Sequence, residues 1–307
     1  MNHEPVMLNE ILEILSKNLN LNTGSKLKIV DGTLGAGGYS LGILEKFLTS
    51  NNELEVIGID RDLSAIKIAE QRLEKFNHQM KIIHGNFGDI KELLSAENDI
   101  NAFVFDLGLS NMQITNSERG FSFMTDGPLD MRMNANENEN NLTASDVLEQ
   151  LDAIELEKIF RAYGEERYSK LIARAIKNYG RKIKSTLELV NIIRSALPQP
   201  VQRNMGTHPA RRIFQALRIY VNDEAGELNR MLETLPELFN FDIHTLVIIV
   251  AYHSLEDRIV KNTFKKWKAN NLGEILTKHP MRPSENEIAV NFKARSAKLR
   301  AFRAIRN

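Results

Sequence analysis

The sequence predicts an α/β protein with a Rossmann-like, doubly wound and largely parallel sheet, and two observations carry this prediction. Four short apolar runs, rich in β-branched residues, alternate with helical patterns as far as Asp106. Such alternation is typical of βαβ units. A fifth apolar run follows only after more than a hundred further residues. We therefore expect one sheet that is interrupted by an insertion, with ligands bound at the carboxyl ends of its strands.

The strands are predicted at residues 27–31, 55–60, 80–84, 102–106 and 245–252. Between the first four, apolar residues recur at helical spacing in residues 41–48 and at Ala65, Ile66, Ala69 and Leu73. A helix over residues 225–238 should return the chain to the sheet, and one over 255–269 should follow the fifth strand. Residues 288–304 are expected to supply an edge strand and then a basic tail.

The predicted insertion has two parts. Residues 106–134 show neither a helical nor an alternating period, and an irregular segment of this length in a compact domain is usually a binding loop. A helix-rich block follows, and Thr143 and Asp146 mark a helix cap at its start. We expect a discontinuous main domain, residues 1–109 and 211–307, and an inserted loop with a helical substrate-recognition subdomain, residues 110–210.

Composition restricts the class of protein. Cysteine is absent, which excludes disulfides and thiolate chemistry and suits a reducing cytoplasm. No signal peptide is expected, and the longest apolar run, residues 246–252, is too short to span a membrane. Neither H-E-x-x-H nor a carboxylate cluster at metal spacing occurs, so no metal is expected. The sequence predicts a cytoplasmic protein that does not associate with membranes.

Charge is unevenly distributed although the net charge is zero. Residues 1–100 carry 10 Lys/Arg against 15 Asp/Glu, whereas residues 253–307 carry 13 against 5. The basic end either contacts a polyanion or forms a solvated amphipathic surface. The same two alternatives apply to a helical pattern further upstream. The two aromatic residues of the basic end are suited equally to stacking on bases and to packing in the core. These residues are Arg211, Arg212, Gln215 and Arg218 in the helical pattern, and Phe292 and Phe302 in the basic end.

A glycine-rich loop, DGTLGAGGYS, follows the first strand and predicts a cofactor site. It lacks the third glycine of G-x-G-x-x-G, where Ser40 stands, so a pyrophosphate is not favoured. Asp60 ends the second strand, where a carboxylate can accept ribose hydroxyl protons. Phe87 follows the third strand and lies either against an adenine or in the core, and Asp106 ends the fourth. A nucleoside without a diphosphate is indicated, namely S-adenosylmethionine.

The ends of the fourth and fifth strands carry the candidate chemistry. Methyl transfer depends mainly on alignment of donor and acceptor. Asp106 could accept hydrogen bonds from an exocyclic amine and so orient it. His253 and Ser254 end the fifth strand, and His253 either contacts the substrate or ties down the strand end. A serine hydrolase is not favoured, since no G-x-S-x-G elbow occurs.

Taken as a set, the motifs resemble those of the bacterial methyltransferase H family over nearly the whole chain. They are HEPVMLNE, DGTLGAGGYS, GIDRD, HGNF, DLGLSNMQ, ERGFSF, DGPLDMRM, YGEER, HPARRIFQALRIYVNDE, HSLEDRIVK and ARSAKLR. The resemblance implies a class I S-adenosylmethionine-dependent methyltransferase fold. It also implies methylation of N4 of a cytidine in the decoding region of small-subunit (16S) ribosomal RNA.

The resemblance also implies site residues. Cofactor contacts fall on Gly37, Gly38, Tyr39, Asp60, Phe87, Asp106 and Gln113. Asp106 and His253 are the catalytic candidates, and the substrate candidates are Arg119, Phe121, Phe123, Asp130, Arg132, Tyr252 and Ser254. The chain departs from the family pattern at Tyr39, Asn111, Met112, Arg211, Ala251 and Tyr252, where the family usually has His, Ser, Pro, Thr, Ser and Phe.

Two other functions remain open at this point. One is an N-methyltransferase that acts on DNA or a small amine. The other is a non-catalytic RNA-binding factor for ribosome assembly, which would not bind S-adenosylmethionine or its demethylated product. The partner is expected to be small-subunit ribosomal RNA, within the small subunit. The residues leave the oligomeric state open, and a homodimer is one expectation.

Overall fold

The computed structural model describes residues 5–19, 26–49, 53–108, 116–133, 142–204 and 208–305. The chain divides into two compact units: a first unit of Met1–Gly108 with Gly226–Asn307, and a second unit of Leu109–Ala225. The second unit continues past the predicted boundary at residue 210. The reason is that the helix Arg211–Val221 packs against another helix of that unit, Ala153–Gly164.

A seven-stranded sheet forms the centre of the first unit. Its strands are β1 (Lys26–Asp31), β2 (Glu53–Asp60), β3 (Met80–His84), β4 (Ala102–Leu107), β5 (Leu246–Ala251), β6 (Gly273–Ile275) and β7 (Lys298–Ala304). They lie in the order β3-β2-β1-β4-β5-β7-β6. The first five are mutually parallel, and β7 is antiparallel to both of its neighbours. The predicted doubly wound sheet and its first five strands are confirmed.

The α-helices are numbered along the chain. They are α1 (Leu8–Asn18), α2 (Gly38–Phe47), α3 (Leu63–Leu73), α4 (Ile90–Leu93), α5 (Ala144–Gln150), α6 (Ala153–Gly164), α7 (Ser169–Asn178), α8 (Thr186–Ala196), α9 (Gln199–Asn204), α10 (Arg211–Val221), α11 (Glu224–Thr234), α12 (Ser254–Ala269) and α13 (Glu285–Val290). Within the described ranges, no helix is long and apolar enough to cross a membrane.

Both faces of the sheet are buried, as expected for parallel strands. Side chains alternate between the two faces along each strand. Val104 of β4 packs on one face in a cluster that includes Ile11 of α1. Phe105, the next residue, packs on the other face with Phe264 and Trp267 of α12. The continuous apolar runs that predicted β4 and β5 follow from this two-sided burial.

Residues 288–304 supply a strand, as predicted, but the predicted edge position and the separate basic tail are wrong. β7 lies inside the sheet, between β5 and β6, and the edge is the short strand β6, which the sequence did not predict. Phe302 is fully buried, with its ring centroid 5.3 Å from that of Trp267. Lys298 and Arg300 both pair with Asp257, at 3.1 Å and 2.7 Å. Asp257 therefore binds both of these basic residues within the fold.

The second unit is a helical block with its own apolar core. The predicted cap is present, because Thr143 and Asp146 form a reciprocal capping box at the start of α5. Residues 116–133 precede it and contain only one short 3₁₀ turn, Ser117–Arg119, as expected for an irregular loop. Of the rest of the predicted loop, residues 109–115 and 134 lie outside the described residues, as do residues 135–141 that follow it.

Candidate active site

The glycine loop after β1 brings backbone and carboxylate groups to the edge of the sheet. Gly35 and Gly37 have φ angles of 51° and 74°, in the left-handed region that suits glycine. Asp31, the last residue of β1, is fully buried, and one of its oxygens accepts a 2.7 Å hydrogen bond from Ser40 Oγ. This bond joins the end of β1 to α2, so the loop between them is closed around Asp31.

Asp60 lies at the end of β2, as predicted, and binds the glycine loop. Its Oδ2 accepts the Gly35 N–H at 2.7 Å, and its Oδ1 accepts the Asp62 N–H at 2.8 Å. Burial raises the pKa of Asp60 above its usual value, although these two bonds oppose the shift. Asp62 itself caps α3, accepting from the Ser64 N–H at 3.0 Å. Asp60 is thus the carboxylate that faces the loop, and Asp62 is the helix cap.

Phe87 lies just past β3 and is half-buried. Its ring meets Phe105 edge to face, with centroids 6.3 Å apart. Asn86 caps the short turn that follows, accepting from the Gly88 N–H at 3.0 Å. The ring of Phe87 is therefore held at the carboxyl edge of the sheet by its contact with the core, and part of its surface is open.

Asp106 lies near the end of β4 and contacts groups from three other elements. Its N–H donates to Thr33 Oγ1 at 2.6 Å, which ties β4 to the glycine loop. Its Oδ1 accepts a 2.7 Å hydrogen bond from the Tyr252 hydroxyl. The Tyr39 hydroxyl is also close enough to hydrogen-bond with this carboxyl, and it donates to the Val6 carbonyl. Tyr39, a predicted cofactor residue, is thus a buried phenol beside Asp106.

Two carboxyl groups at this edge, those of Asp31 and Asp106, have raised pKa values. Burial raises the pKa of Asp106 to about 7, and the nearby charge of Asp31 adds to the shift. Burial likewise raises the pKa of Asp31 to about 6. Among the residues that the structure describes, no lysine or arginine forms an ion pair with either group. The pair would be stabilised by a cationic ligand.

His253 and Glu256 form a reciprocal capping box at the start of α12. The Nδ1 atom of His253 accepts the Glu256 N–H at 3.3 Å, and the Glu256 carboxylate accepts the N–H groups of both His253 and Tyr252. His253 therefore ties down the end of β5, which was one of the two roles predicted for it. Ser254 is the first residue of α12 and is exposed.

The substrate candidates of the second unit make contacts that stabilise its irregular loop. Asp130 and Arg132 form a bidentate ion pair, at 2.9 Å and 2.8 Å. The guanidinium of Arg119 donates to the carbonyl of Met133. Phe121 is 7% exposed and belongs to the apolar core of the unit. Phe123 is half-buried and stacks on His208, with centroids 4.7 Å apart.

The sequence prediction missed three residues of this site. Asp31 ends its strand in the same way as Asp60 and Asp106, so its position was a usable signal. Thr33 accepts a hydrogen bond from the backbone of Asp106, 73 residues away, and the sequence contains no periodic signal for such a contact. Glu256 accepts from the nearby Tyr252 and His253 as the third helical residue of a capping box, so its spacing from His253 was a usable signal. Gln113, a predicted cofactor residue, lies outside the described residues.

The fold and the site together define a class of protein. A seven-stranded sheet with an antiparallel β7, a glycine loop after β1 and carboxylates at the ends of β1, β2 and β4 is the arrangement of class I S-adenosylmethionine-dependent methyltransferases. Residues 1–305 match the model of the MraW methylase family. The chain belongs to this family.

Relatives of known name are similar over their whole length. Ribosomal RNA small subunit methyltransferase H from a Nitratiruptor species is 39% identical over 316 residues, which cover 98% of this chain and 97% of the relative. The protein of the same name from Clostridium botulinum (strain Kyoto / Type A2) is 41% identical over 322 residues, 99% of each chain. Among solved structures, an rRNA methylase from Streptococcus thermophilus aligns with 100% of this chain and 99% of its own chain. The sequence identity is 9% and the TM-score is 0.43, so this likeness is too distant to support an inference.

The residues present fit the cofactor of this class. S-adenosylmethionine carries a sulfonium and an ammonium group, and the uncompensated pair Asp31 and Asp106 offers negative charge at the edge of the sheet. Each oxygen of Asp60 accepts one backbone N–H and retains a lone pair for a ribose hydroxyl. Phe87 offers an apolar ring surface to a base. The chain is a methyltransferase that uses S-adenosylmethionine.

Proposed function

We propose that this protein methylates N4 of a cytidine in the decoding region of small-subunit ribosomal RNA, with S-adenosylmethionine as donor. The observation that carries the proposal is the position of Asp106, which shares the edge of the sheet with the predicted cofactor residues Asp60 and Phe87. The relatives are named for methylation of small-subunit ribosomal RNA. The family-specific motifs DGPLDMRM and HSLEDR support cytidine N4 as the acceptor.

In this proposal the protein aligns the reactants and takes up a proton. The cofactor supplies a methyl group on a sulfonium that is already a good leaving group. With the cofactor bound, Asp60 would hold the ribose and Phe87 would lie against the adenine. Among the described residues, Gly37, Gly38 and Tyr39 would complete the cofactor contacts. Asp106 accepts an N–H of the cytosine amine, which orients the nitrogen lone pair towards the methyl group. The amine loses one proton as the N–C bond forms, and the Asp106 carboxylate accepts it, a role that suits a pKa of about 7.

The second unit recognises the acceptor in this proposal. The Asp130–Arg132 ion pair and the Arg119 contact fix the course of the irregular loop. We infer that this fixed loop shapes the cytidine pocket. Phe123 is the half-buried aromatic candidate of this unit for contact with the base, whereas Phe121 supports the loop from the core. Ser254 stays a candidate contact at the end of β5.

A basic face on α12 supports RNA as the partner. Its exposed basic side chains lie at i, i+3, i+7 and i+10: Arg258, Lys261, Lys265 and Lys268. The opposite side of the helix is buried through Val260, Phe264 and Trp267. Residues 258–269 contain no carboxylate. Lys261, Lys265 and Lys268 form no ion pair with any described residue. The face extends for about 15 Å and is suited to a phosphate backbone.

The proposal is tested by incubating the protein with small subunits that lack the modification and with methyl-labelled cofactor. Mass spectrometry of the digested RNA should place the label on N4 of one cytidine in the decoding region. Subunits that already carry the modification are the matched control and should take up none. Label on a ring carbon or a ribose would overturn the proposal.

The same assay separates the two alternatives. Transfer to DNA or a small amine, with none to subunits or free RNA, would indicate a different N-methyltransferase. Calorimetry with S-adenosylmethionine and its demethylated product tests the third function directly. Absence of binding to both would indicate a non-catalytic assembly factor.

A further inference from the structure

Tyr252 is held at three points beside the candidate catalytic carboxylate. Its hydroxyl donates to Asp106 Oδ1 at 2.7 Å. Its backbone N–H donates to Glu256 Oε2 at 2.8 Å. Its ring lies against the backbone of Gly108, where an added Cβ would come within 3.0 Å of Tyr252 Cε2. The side chain thus connects the end of β5 to the residues that end β4.

The first turn of α12 fixes the position of this tyrosine. Glu256 is buried, and its carboxylate serves both the capping box with His253 and the Tyr252 N–H. The helix dipole stabilises the negative charge of a carboxylate that accepts backbone N–H groups at a helix N-terminus. The HSLE motif therefore acts on Asp106 through Tyr252, without contacting Asp106 by a hydrogen bond of its own.

We propose that Tyr252 is a positioning residue for methyl transfer, whose hydroxyl holds the Asp106 carboxylate in the orientation that receives the acceptor amine. This inference rests on the proposed role of Asp106. The hydroxyl occupies one oxygen of the carboxylate and prevents its rotation, so the remaining lone pairs keep fixed directions. Hydrogen bonds to a charged acceptor are the stronger ones, and their geometry is correspondingly well defined.

The Tyr252 hydroxyl also opposes the effect of the neighbouring acidic groups on the ionisation of Asp106. Asp31 at the end of β1 and Glu256 on α12 are acidic groups near this carboxyl, and Tyr39 on α2 is the other phenol beside it. Both acidic neighbours disfavour the ionised form, whereas the bond from Tyr252 favours it. Loss of that hydroxyl should therefore raise the pKa of Asp106 and move the acidic limb of the pH–rate profile to higher pH.

A double-mutant cycle between Tyr252→Phe and Asp106→Asn tests the inference, because Phe keeps the ring against Gly108 and removes only the hydroxyl. With saturating cofactor and RNA, Tyr252→Phe should lower the single-turnover rate by about tenfold to a hundredfold, the range expected for one hydrogen bond to a charged group. Cofactor affinity by calorimetry should change by less than about twofold. In the Asp106→Asn background the same substitution should have almost no further effect.

Controls separate this inference from the proposed function. Tyr220→Phe, on the exposed surface of α10, should leave rate and pH profile unchanged. Multiplicative losses in the double variant, or an unshifted pH profile in Tyr252→Phe, would show that Tyr252 does not act through Asp106. If Asp106→Asn is too slow to measure, the pH profile of Tyr252→Phe alone decides. Failure of the proposed function would appear instead as a wild-type protein that transfers no methyl group to cytidine.

Discussion

The backbone N–H of Gly35 donates a 2.7 Å hydrogen bond to Oδ2 of Asp60. The carboxylate that was predicted to bind a ribose therefore also holds the glycine loop in place before any ligand arrives. Pre-formed binding loops lower the ordering cost of association. Asp60 contributes to cofactor affinity in two ways: it accepts hydrogen bonds from the ligand and it keeps the loop in its binding conformation.

Asp60→Ala should weaken S-adenosylmethionine binding by about 1–3 kcal/mol, because ribose hydroxyls and a loop N–H lose their acceptor together. Calorimetry measures the affinity, and a thermal melt of the ligand-free protein reports the loop contribution. Asp62→Ala is the matched control: it should cost about 1 kcal/mol of stability as a lost helix cap while cofactor affinity stays nearly unchanged. Equal losses of affinity in the two variants would contradict the assignment.

The raised pKa values of Asp31 and Asp106, about 6 and about 7, contribute a loss of stability to the ligand-free protein as pH rises. Both exceed the ordinary value of 3.8, so between about pH 4 and pH 7 these two groups bind more protons in the folded state than in the unfolded state. Their contribution to the free energy of unfolding then falls as pH increases through this range.

Asp106→Asn removes one of these protonation sites and keeps an acceptor for the Tyr252 hydroxyl. It should be more stable than the wild type by about 1–3 kcal/mol near pH 8 and no more stable near pH 4.5. Thermal melts of both proteins across this range give the difference directly. A difference that is independent of pH would show that Asp106 titrates normally in the folded protein.

The basic face of α12 should contribute to RNA binding through phosphate contacts. Lys261→Glu with Lys265→Glu should weaken binding of small-subunit RNA at physiological salt and lower the salt slope of the affinity by about one per lost contact. Lys46→Glu with Lys67→Glu changes the net charge equally on the exposed surfaces of α2 and α3. If both pairs weaken binding to the same extent, only net charge matters and the face is not a contact surface.

Most of the sheet was predictable because each buried parallel strand leaves its own continuous apolar run in the sequence. Parallel strands that are buried on both faces produce continuous apolar runs, and β1 to β5 followed from these runs within a few residues. β6 and β7 did not. β6 is only Gly273–Ile275, and β7 contains Lys298, Arg300 and Arg303, whose charges concealed an interior strand. Asp257 and Glu274, distant in sequence, pair with these residues and make the burial possible.

The site was predictable where a strand end carried the functional group. That rule predicted the positions of the candidate residues Asp60, Phe87 and Asp106 at the carboxyl edge of the sheet, and the same rule should have included Asp31. Hydrogen bonds between remote segments were not predictable, since no spacing in the sequence encodes them. The bond from Tyr252 to Asp106 joins residues 146 apart in the chain. Only the pairing of β4 with β5 makes them neighbours.

His253 should act as a helix cap rather than as an acid or base. Asparagine is a favourable N-cap residue, so His253→Asn should keep the methyl-transfer rate within about twofold and the stability within a few tenths of a kcal/mol. His253→Ala should lose about 1 kcal/mol of stability. Thermal melts and single-turnover rates of the two variants distinguish the cap role from an acid or base role. A His253→Asn protein that is as stable as the wild type and inactive would assign the imidazole a direct part in the reaction.

Asn222 should control acceptor recognition through the irregular loop of the second unit. Its Oδ1 accepts the Met133 N–H at 2.7 Å, and its Nδ2 donates to the carbonyl of Met131 at 2.8 Å. Met131 is fully buried with a φ of 63°, a conformation that a methionine rarely adopts and that these bonds hold.

Asn222→Ala leaves two backbone groups without their partner, and should destabilise the loop by about 1–3 kcal/mol. We expect a higher KM for RNA and an unchanged cofactor affinity, because the candidate cofactor residues that the structure describes all lie in the first unit. Asn178→Ala, on the exposed end of α7, is the matched control and should behave as the wild type. If Asn222→Ala weakens cofactor binding while RNA binding is retained, the loop segment around Met131 and Met133 serves the donor rather than the acceptor.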